Sequence, residues 1–521
     1  MRLLYLYIDS FKNLRNFEID FDEKHSNVVL LGENATGKSN FLEALILIFK
    51  YLDLERFNNI PFNYLLKYKK GESIIEIEKE TKTTTIKIDN NKISLSEFKK
   101  SKDKYLPKYV FAYYSGTSNR LEELFDEHQK RFYDKLIKEN VKEEEIEDLR
   151  RLFYVRLIHS KFVLLAFFSF AESFEESKDF LKNYFGIEDI ENILFILHTP
   201  YWANKPEQKR EKFWSAKGIV RDFLEIMWEK SLAPIYNEET IRVDFRSTTK
   251  KELLYLFFPS VRELQEIAKN YKDNTTFFKA LESTYISDLI EDVKIRVKKY
   301  DIDKNITFRE LSEGEQQLLT VLGLLKFTRD KESLVLLDEP DTHLNPIWKW
   351  KYLDLLKEVI GEDETSHIII NTHDPLIIGG LVKEQIRIFK KDYKDGSAVI
   401  EKPDIDPKGL GVAGILTSEF FGLPTTLDKE TQEKLEERNR LAARERLGEK
   451  LTKEEKEKLR SLTRELELLG FGWQFRDKTY QKVLERLYKR EKELDENIYE
   501  LKDEEFDKLI VEILKELEEE K

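Results

Sequence analysis

Residues 27–49 read NVVLLGENATGKSNFLEALILIF, and the fold is decided here. A short apolar run, Asn27 to Leu31, enters a glycine-containing loop, and a helical pattern leaves it from Ser39 to about Tyr51. Gly32 to Ser39 fit G-x-x-x-x-G-K-[ST] in the strand, loop and helix context that this motif requires. The glycines let backbone amides turn toward phosphate oxygens, and the helix N-terminus adds a favourable partial charge. Lys38 is placed to reach β- and γ-phosphates, and Ser39 to ligate Mg²⁺. The candidate cradle is therefore Gly32, Glu33, Asn34, Ala35, Thr36, Gly37, Lys38 and Ser39, with Asn40 directly behind it. A turn without a ligand is the bland alternative, and the agreement of strand, loop, lysine and serine argues against it.

Working outward, Ser333 to Pro340 (SLVLLDEP) is an apolar strand that ends in two carboxylates. Acids at the end of a buried strand are costly unless they have a cation or a task. In phosphate-loop proteins an Asp in this place holds the Mg²⁺ shell, which assigns Asp338 to the metal and makes Glu339 the candidate general base. Earlier in the chain, Leu311 to Gln317 (LSEGEQQ) contains an S-x-x-E capping box, Ser312 with Glu315. A capped helix N-terminus also attracts anions, so capping and ligand contact are compatible roles. Asp341 to Pro346 (DTHLNP) follows the carboxylates, and Ile368 to Asp374 (IIINTHD) is a buried strand running into His373. His343 and His367 are read as structural or surface residues.

In this order the motifs resemble those of ABC-type ATPase heads. The resemblance implies ATP and Mg²⁺ as cofactors and a site shared by two heads, with Ser312 and Gly314 of one subunit meeting the γ-phosphate held by the other. It also implies that His373 hydrogen-bonds the γ-phosphate and positions water. The catalytic set is then Glu339, His373 and Lys38. The stretch LYLYIDSFKNLRNFEIDF, residues 4–21, together with the loop and helix above, resembles the N-terminal lobe of RecF, SMC and OLD-like ATPases. In relatives a basic side chain at the place of Lys12 or Arg15 lies near the nucleotide, and their heads are interrupted by a helical arm. Ser39 and Ser312 lie 273 residues apart, room enough for such an arm. A Q-loop glutamine is not evident: YVFAYYSGTSNR offers Ser115, Gly116 and Asn119, while Gln129 falls deep in the next helical stretch. OLD-family chains commonly carry a metal-dependent nuclease after the head, but Glu419 and Asp428 are isolated acids, so no nuclease chemistry is assigned. The tail resembles stand-alone ATPase subunits of Septu or retron-associated anti-phage systems, which work with a separate effector, often an HNH nuclease.

Composition narrows the remaining choices. With 521 residues the chain has room for about three domains. Its 88 Lys and Arg against 101 Asp and Glu give a net charge of −13, so any nucleic-acid contact requires a local basic patch. The absence of cysteine excludes disulfides, thiolate zinc sites and a cysteine nucleophile. The first residues alternate like a strand rather than a secretory signal, and Phe162 to Ala171 is about half the length that spans a bilayer, so a cytoplasmic location is expected. The expected fold is α/β, a P-loop ABC-type head with a mixed sheet flanked by helices, interrupted by a helical insertion and followed by a helical domain. Its expected parts are an N-terminal lobe at 1–120, a mainly helical insertion at 121–285, a C-terminal lobe at 286–406, and a helical partner-binding domain at 407–521. Expected partners are a second copy, or a higher oligomer, and a separate effector. The rival reading is a RecF or SMC-like ATPase that clamps DNA without an effector; a self-contained nuclease is a third.

Overall fold

Apolar runs that lack alternation, VVLL, LVLL, HIII and VFAY, fit strands covered on both faces. In a computed structural model these runs build a seven-stranded sheet. Its order is Ala398–Glu401, Ile386–Lys391, Asn27–Gly32, His367–Asn371, Leu334–Asp338, Val110–Tyr114 and Leu152–Val155. The first strand is antiparallel to its neighbour, and the other six run parallel. Leu30, Asn371, Asp338 and Tyr114 lie side by side in one row at the carboxyl ends of their strands. Ligand crevices of open α/β sheets form at this end. The structure describes residues 1–116, 118–136, 150–170, 174–242, 245–300, 306–327, 332–360, 365–447, 449–468, 486, 509–510 and 512–513.

The helix that follows the phosphate loop, Lys38–Asp53, is buried between this sheet and a six-stranded antiparallel one. Alternation in Arg2–Phe11, Tyr64–Lys70, Ser73–Glu80 and Thr83–Ile88 turns Leu6, Leu66, Tyr68, Ile75, Ile77 and Ile86 inward onto Phe41, Leu45, Phe49 and Leu52 of the helix. The alternation of the first residues is that of the strand at 2–11, and the strands at 14–20, 64–70, 73–80 and 83–88 pair beside it.

The described residues of 121–285 hold more helix than strand, but they also supply strands that the helical period did not announce. Leu152–Val155 extends the seven-stranded sheet, and Ile187–His198, Ile235–Arg242 and Thr248–Phe258 pair with Ile290–Lys299 and Ile306–Thr307 in a separate antiparallel sheet. The reason is visible in Ile187–His198. Register shifts between Ile187 and Asp189 and between Ile190 and Asn192 bring Ile187, Ile190 and Ile193 all to the buried face. Bulges thus give a strand the three-residue spacing of a helix. The apolar run around Phe162 does form a buried helix, Ile158–Ser169, against which the Glu313–Phe327 helix packs. No described helix is long and apolar enough to cross a membrane.

The chain divides into two compact units, 1–422 and 423–521, so the boundary expected at 407 is corrected. The short Gly411–Thr417 helix packs on Pro375–Ile378 and stays with the first unit. In the second unit, Lys429–Arg446 and Lys453–Leu468 form a helical hairpin. Asp428 caps the first helix, and Thr452 with Glu455 makes a reciprocal capping box on the second. Most of the expected partner-binding domain beyond 468 lies outside the described residues.

Candidate active site

Gly37 closes the phosphate loop with φ of 111°, a conformation open to glycine, and an added Cβ would meet the Asn13 amide at 2.9 Å. It is also the N-cap of Lys38–Asp53, and no side chain caps that helix. The first backbone amides are thus left to bind an anion at the positive end of a 16-residue helix. Thr36 Oγ1 donates to the Glu33 carbonyl at 2.8 Å and braces the turn. Lys38 is only 7% exposed, and its Nζ donates to the carbonyls of Gly32 at 2.7 Å and Glu33 at 2.9 Å. Burial lowers its pKa, against the opposing pull of Asp338 and Glu339.

Asp338 ends its strand 1% exposed, with its carboxylate beside the Ser39 hydroxyl and accepting from Asn371 Nδ2. Burial pushes its pKa up to about 6, although the hydrogen bonds from Ser39 and Asn371 pull the other way. Glu339 departs from the strand in the left-handed region, φ 53°, with its amide donating to the Asn371 carbonyl at 2.8 Å. This turn brings the Glu339 carboxylate to 3.5 Å from Nδ1 of the exposed His373. Asp338, Glu339, His373, Lys38 and Ser39 are therefore gathered at one end of the sheet. The next residue, Asp374, is held by Lys349 at 2.7 Å, and Asp341 accepts from Thr372 Oγ1 at 3.0 Å.

Ser312 and Gly314 sit at the start of the Glu313–Phe327 helix, Ser312 exposed and Gly314 buried. Ser312 exchanges capping bonds with Glu315, as its spacing required. Gly314 lies so close to the following loop that an added Cβ would come within 2.5 Å of the His343 carbonyl. Gln317 Nε2 donates to the Pro340 carbonyl at 2.6 Å, tying the same helix to the carboxylate strand. His343 faces Glu313 at 3.2 Å, and His367 is fully buried, its Nδ1 accepting from the Leu3 amide.

Lys12 reaches Glu43 of the Lys38–Asp53 helix and pairs with it. Arg120 grips the same carboxylate at 2.5 Å and donates to Asn40 Oδ1 at 3.2 Å. Asn40 in turn donates to Asn13 Oδ1 at 2.6 Å. Asn13, Glu43, Arg120 and Asn371 went unnoticed in sequence because pairings made across the fold carry no local spacing signal. Gln129 accepts from Arg156 at 3.1 Å, and Ser115 meets Thr342 at 3.0 Å. Arg120, which follows the Val110–Tyr114 strand, thus reaches the first turns of the helix behind the phosphate loop.

The donor set fits Mg²⁺. A buried carboxylate beside a serine hydroxyl and a free amide oxygen on Asn371 is a half-built oxygen shell, and this hard cation is typically held by one or two carboxylates with substrate phosphates and waters.

A protein-family profile described as "AAA domain, putative AbiEii toxin, Type IV TA system" matches residues 219–379, the stretch that contains Ser312, Asp338, Glu339 and His373. The Septu protein PtuA of Bacillus mycoides (strain KBAB4) is 28% identical over 174 residues, 31% of this chain and 24% of the relative. Protein ea59 of Escherichia phage lambda is 30% identical over 138 residues, 26% of this chain and 25% of that protein. The DNA replication and repair protein RecF of Clostridium acetobutylicum is 35% identical over 85 residues, 16% of this chain and 22% of the relative. The chain thus spans about a quarter of the length of the curated relatives it matches. Among solved structures, an SMC head domain from Thermotoga maritima aligns with 78% of this chain and 100% of its own, at 15% identity and a TM-score of 0.32. Residues 219–379 thus match an AAA-domain profile, and the chain, whose fold is an α/β P-loop fold, is similar over part of its length to RecF and to a Septu protein.

Proposed function

We propose that the protein is a Mg²⁺-dependent ATP hydrolase that works as a dimer, and that closure of its heads on ATP governs a separate effector, a nuclease, in prokaryotic anti-phage defence. The observation that carries the catalytic part is the convergence of Lys38, Ser39, Asp338, Glu339 and His373 at the carboxyl end of one sheet. Loop amides and Lys38 bind the phosphates. Mg²⁺, held by Ser39 and Asp338, would neutralise charge on the β- and γ-phosphate oxygens. Glu339 takes a proton from water as the water oxygen bonds to the γ-phosphorus, the bond to the β-phosphate oxygen breaks, and ADP and phosphate leave. His373 holds the γ-phosphate. Ser312, exposed at the start of its helix with the buried Gly314 behind it, points to a second copy as the other half of the site, since a helix start turned to solvent suits a phosphate brought by a partner. The effector reading is supported by likeness to the Septu protein PtuA and by charge-rich helices at 429–468 suited to a protein partner.

Glu339→Gln tests the chemistry: it should bind ATP as the natural protein does and lose turnover by at least about a hundredfold, the scale of removing a general base. Hydrolysis at the unaltered rate would reassign the base. The second reading, a DNA-clamping ATPase, is favoured by the RecF likeness. It calls for DNA binding that weakens steeply with salt. Copurification from the native host with a small nuclease would favour the first.

A further inference from the structure

Asn371 ends a five-residue strand whose side chains are all buried, and it lies between the two strands that deliver the phosphate loop and the Asp338 carboxylate. It is 1% exposed. Its backbone carbonyl accepts from the Glu339 amide, and its Nδ2 donates to Asp338 and lies 3.5 Å from Ser39 Oγ. A carboxylate only accepts hydrogen bonds, so the nitrogen end of the amide must face Asp338, and this fixes the direction of Oδ1. That oxygen is buried and has no hydrogen-bond partner in the protein. A buried acceptor left unpaired costs about 1–3 kcal/mol, so a site that keeps one is built for a donor that arrives with the ligand.

We propose that Asn371 is a positioning residue for the metal of the nucleotide site, its Nδ2 holding Asp338 beside Ser39 and its Oδ1 accepting a hydrogen bond from a metal-bound water. The proposal rests on the nucleotide-site reading above. Mg²⁺ keeps several of its waters when bound, and these are strong donors. Groups that orient metal ligands from behind typically contribute a factor of about 10–100 in metal affinity. One residue then sets both acids of the site, Asp338 through its side chain and Glu339 through its backbone, and substitution of the side chain separates the two roles.

The test is a titration of the full-length protein with a fluorescent, non-hydrolysable ATP analogue, in EDTA and then over a series of MgCl₂ concentrations. Asn371→Ala, and the similarly shaped apolar Asn371→Leu as a second variant should the first fold poorly, are expected to bind the analogue in EDTA within about twofold of the natural protein. The Mg²⁺ concentration giving half of the metal-dependent tightening should rise by about tenfold or more in both. An unchanged Mg²⁺ midpoint in a folded variant would overturn the proposal. So would an equal loss of affinity with and without Mg²⁺, because it would make Asn371 merely structural. Lys38→Ala separates the underlying reading: if it binds the analogue in EDTA as well as the natural protein does, the nucleotide site itself is misplaced, whatever Asn371 does.

Discussion

Asp338 shows how a site residue is kept ready at a cost to the fold. Burial raises its pKa to about 6 from an ordinary 3.8, so between these values the folded protein binds the extra proton. Stability therefore falls as pH rises through this window, and above it the ionised carboxylate costs roughly 3 kcal/mol. Asp338→Asn should accordingly raise resistance to urea at pH 8 much more than at pH 4.5, while weakening Mg²⁺-dependent nucleotide binding. An equal gain at both pH values would trace the effect to packing instead. At this scale the sequence disclosed the residues whose spacing is dictated by phosphate geometry, Gly32 to Ser39, and those that end an apolar strand, Asp338 and Glu339. It was silent on Asn371 and Arg120, because an Asn in a strand or an Arg after one acquires meaning only from the neighbours that the sheet register and a returning loop supply.

At the scale of elements, the Glu313–Phe327 helix is seated on the buried Ile158–Ser169 helix. A Cβ at Gly323 would run into Val163 Cγ1, so the glycine is what permits the close approach. Gly323→Ala should cost about 1–3 kcal/mol in chemical denaturation even though alanine favours helix, and Val163→Ala in the same protein should recover part of that loss. Beside this contact, Glu282 is fully buried and joined to His159 at 2.7 Å and Arg150 at 3.0 Å. Burial alone would raise its pKa, but His159 and Arg150 outweigh it and pull the value down to about 2. The stabilisation this brings is complete above the ordinary carboxylate range and is lost as pH falls from about 4.5 toward 2. Glu282→Ala, which strands the buried Arg150 guanidinium and leaves His159 without its partner, should destabilise the fold by about 3–5 kcal/mol at pH 7 by urea denaturation. Elements with clean alternation or a long apolar run were legible in sequence, as Thr83–Ile88 and the helix at Phe162 show. Ile187–His198 was not, because its bulges gave a strand the period of a helix.

For the whole molecule, the decisive proposal is that two copies complete one site. Gly32 to Ser39 and the Asp338, Glu339 and His373 group gather at the carboxyl end of one sheet, while exposed Ser312 caps a helix turn in which Gly314 is buried against the His343 carbonyl and Glu315 pairs with Lys299. A net charge of −13 with 36% charged residues leaves the outer surface suited to a basic protein partner, and it confines nucleic acid to a local patch. The motifs were legible in the sequence because Gly32 to Ser39, Ser312 to Glu315 and Asp338 with Glu339 are each short and contiguous in the chain. Sheet pairing across 121–306 was not, because those contacts join strands up to about a hundred residues apart. The central claim is that ATP joins two copies through these halves. Its most direct test is the mass in solution of Glu339→Gln with and without Mg·ATP, measured beside Glu339→Gln carrying Ser312→Arg. The single variant should gain a dimer only with Mg·ATP, and the double variant should bind the nucleotide equally well yet keep its nucleotide-free mass. Assembly of the double variant to the same extent as the single one would contradict the account.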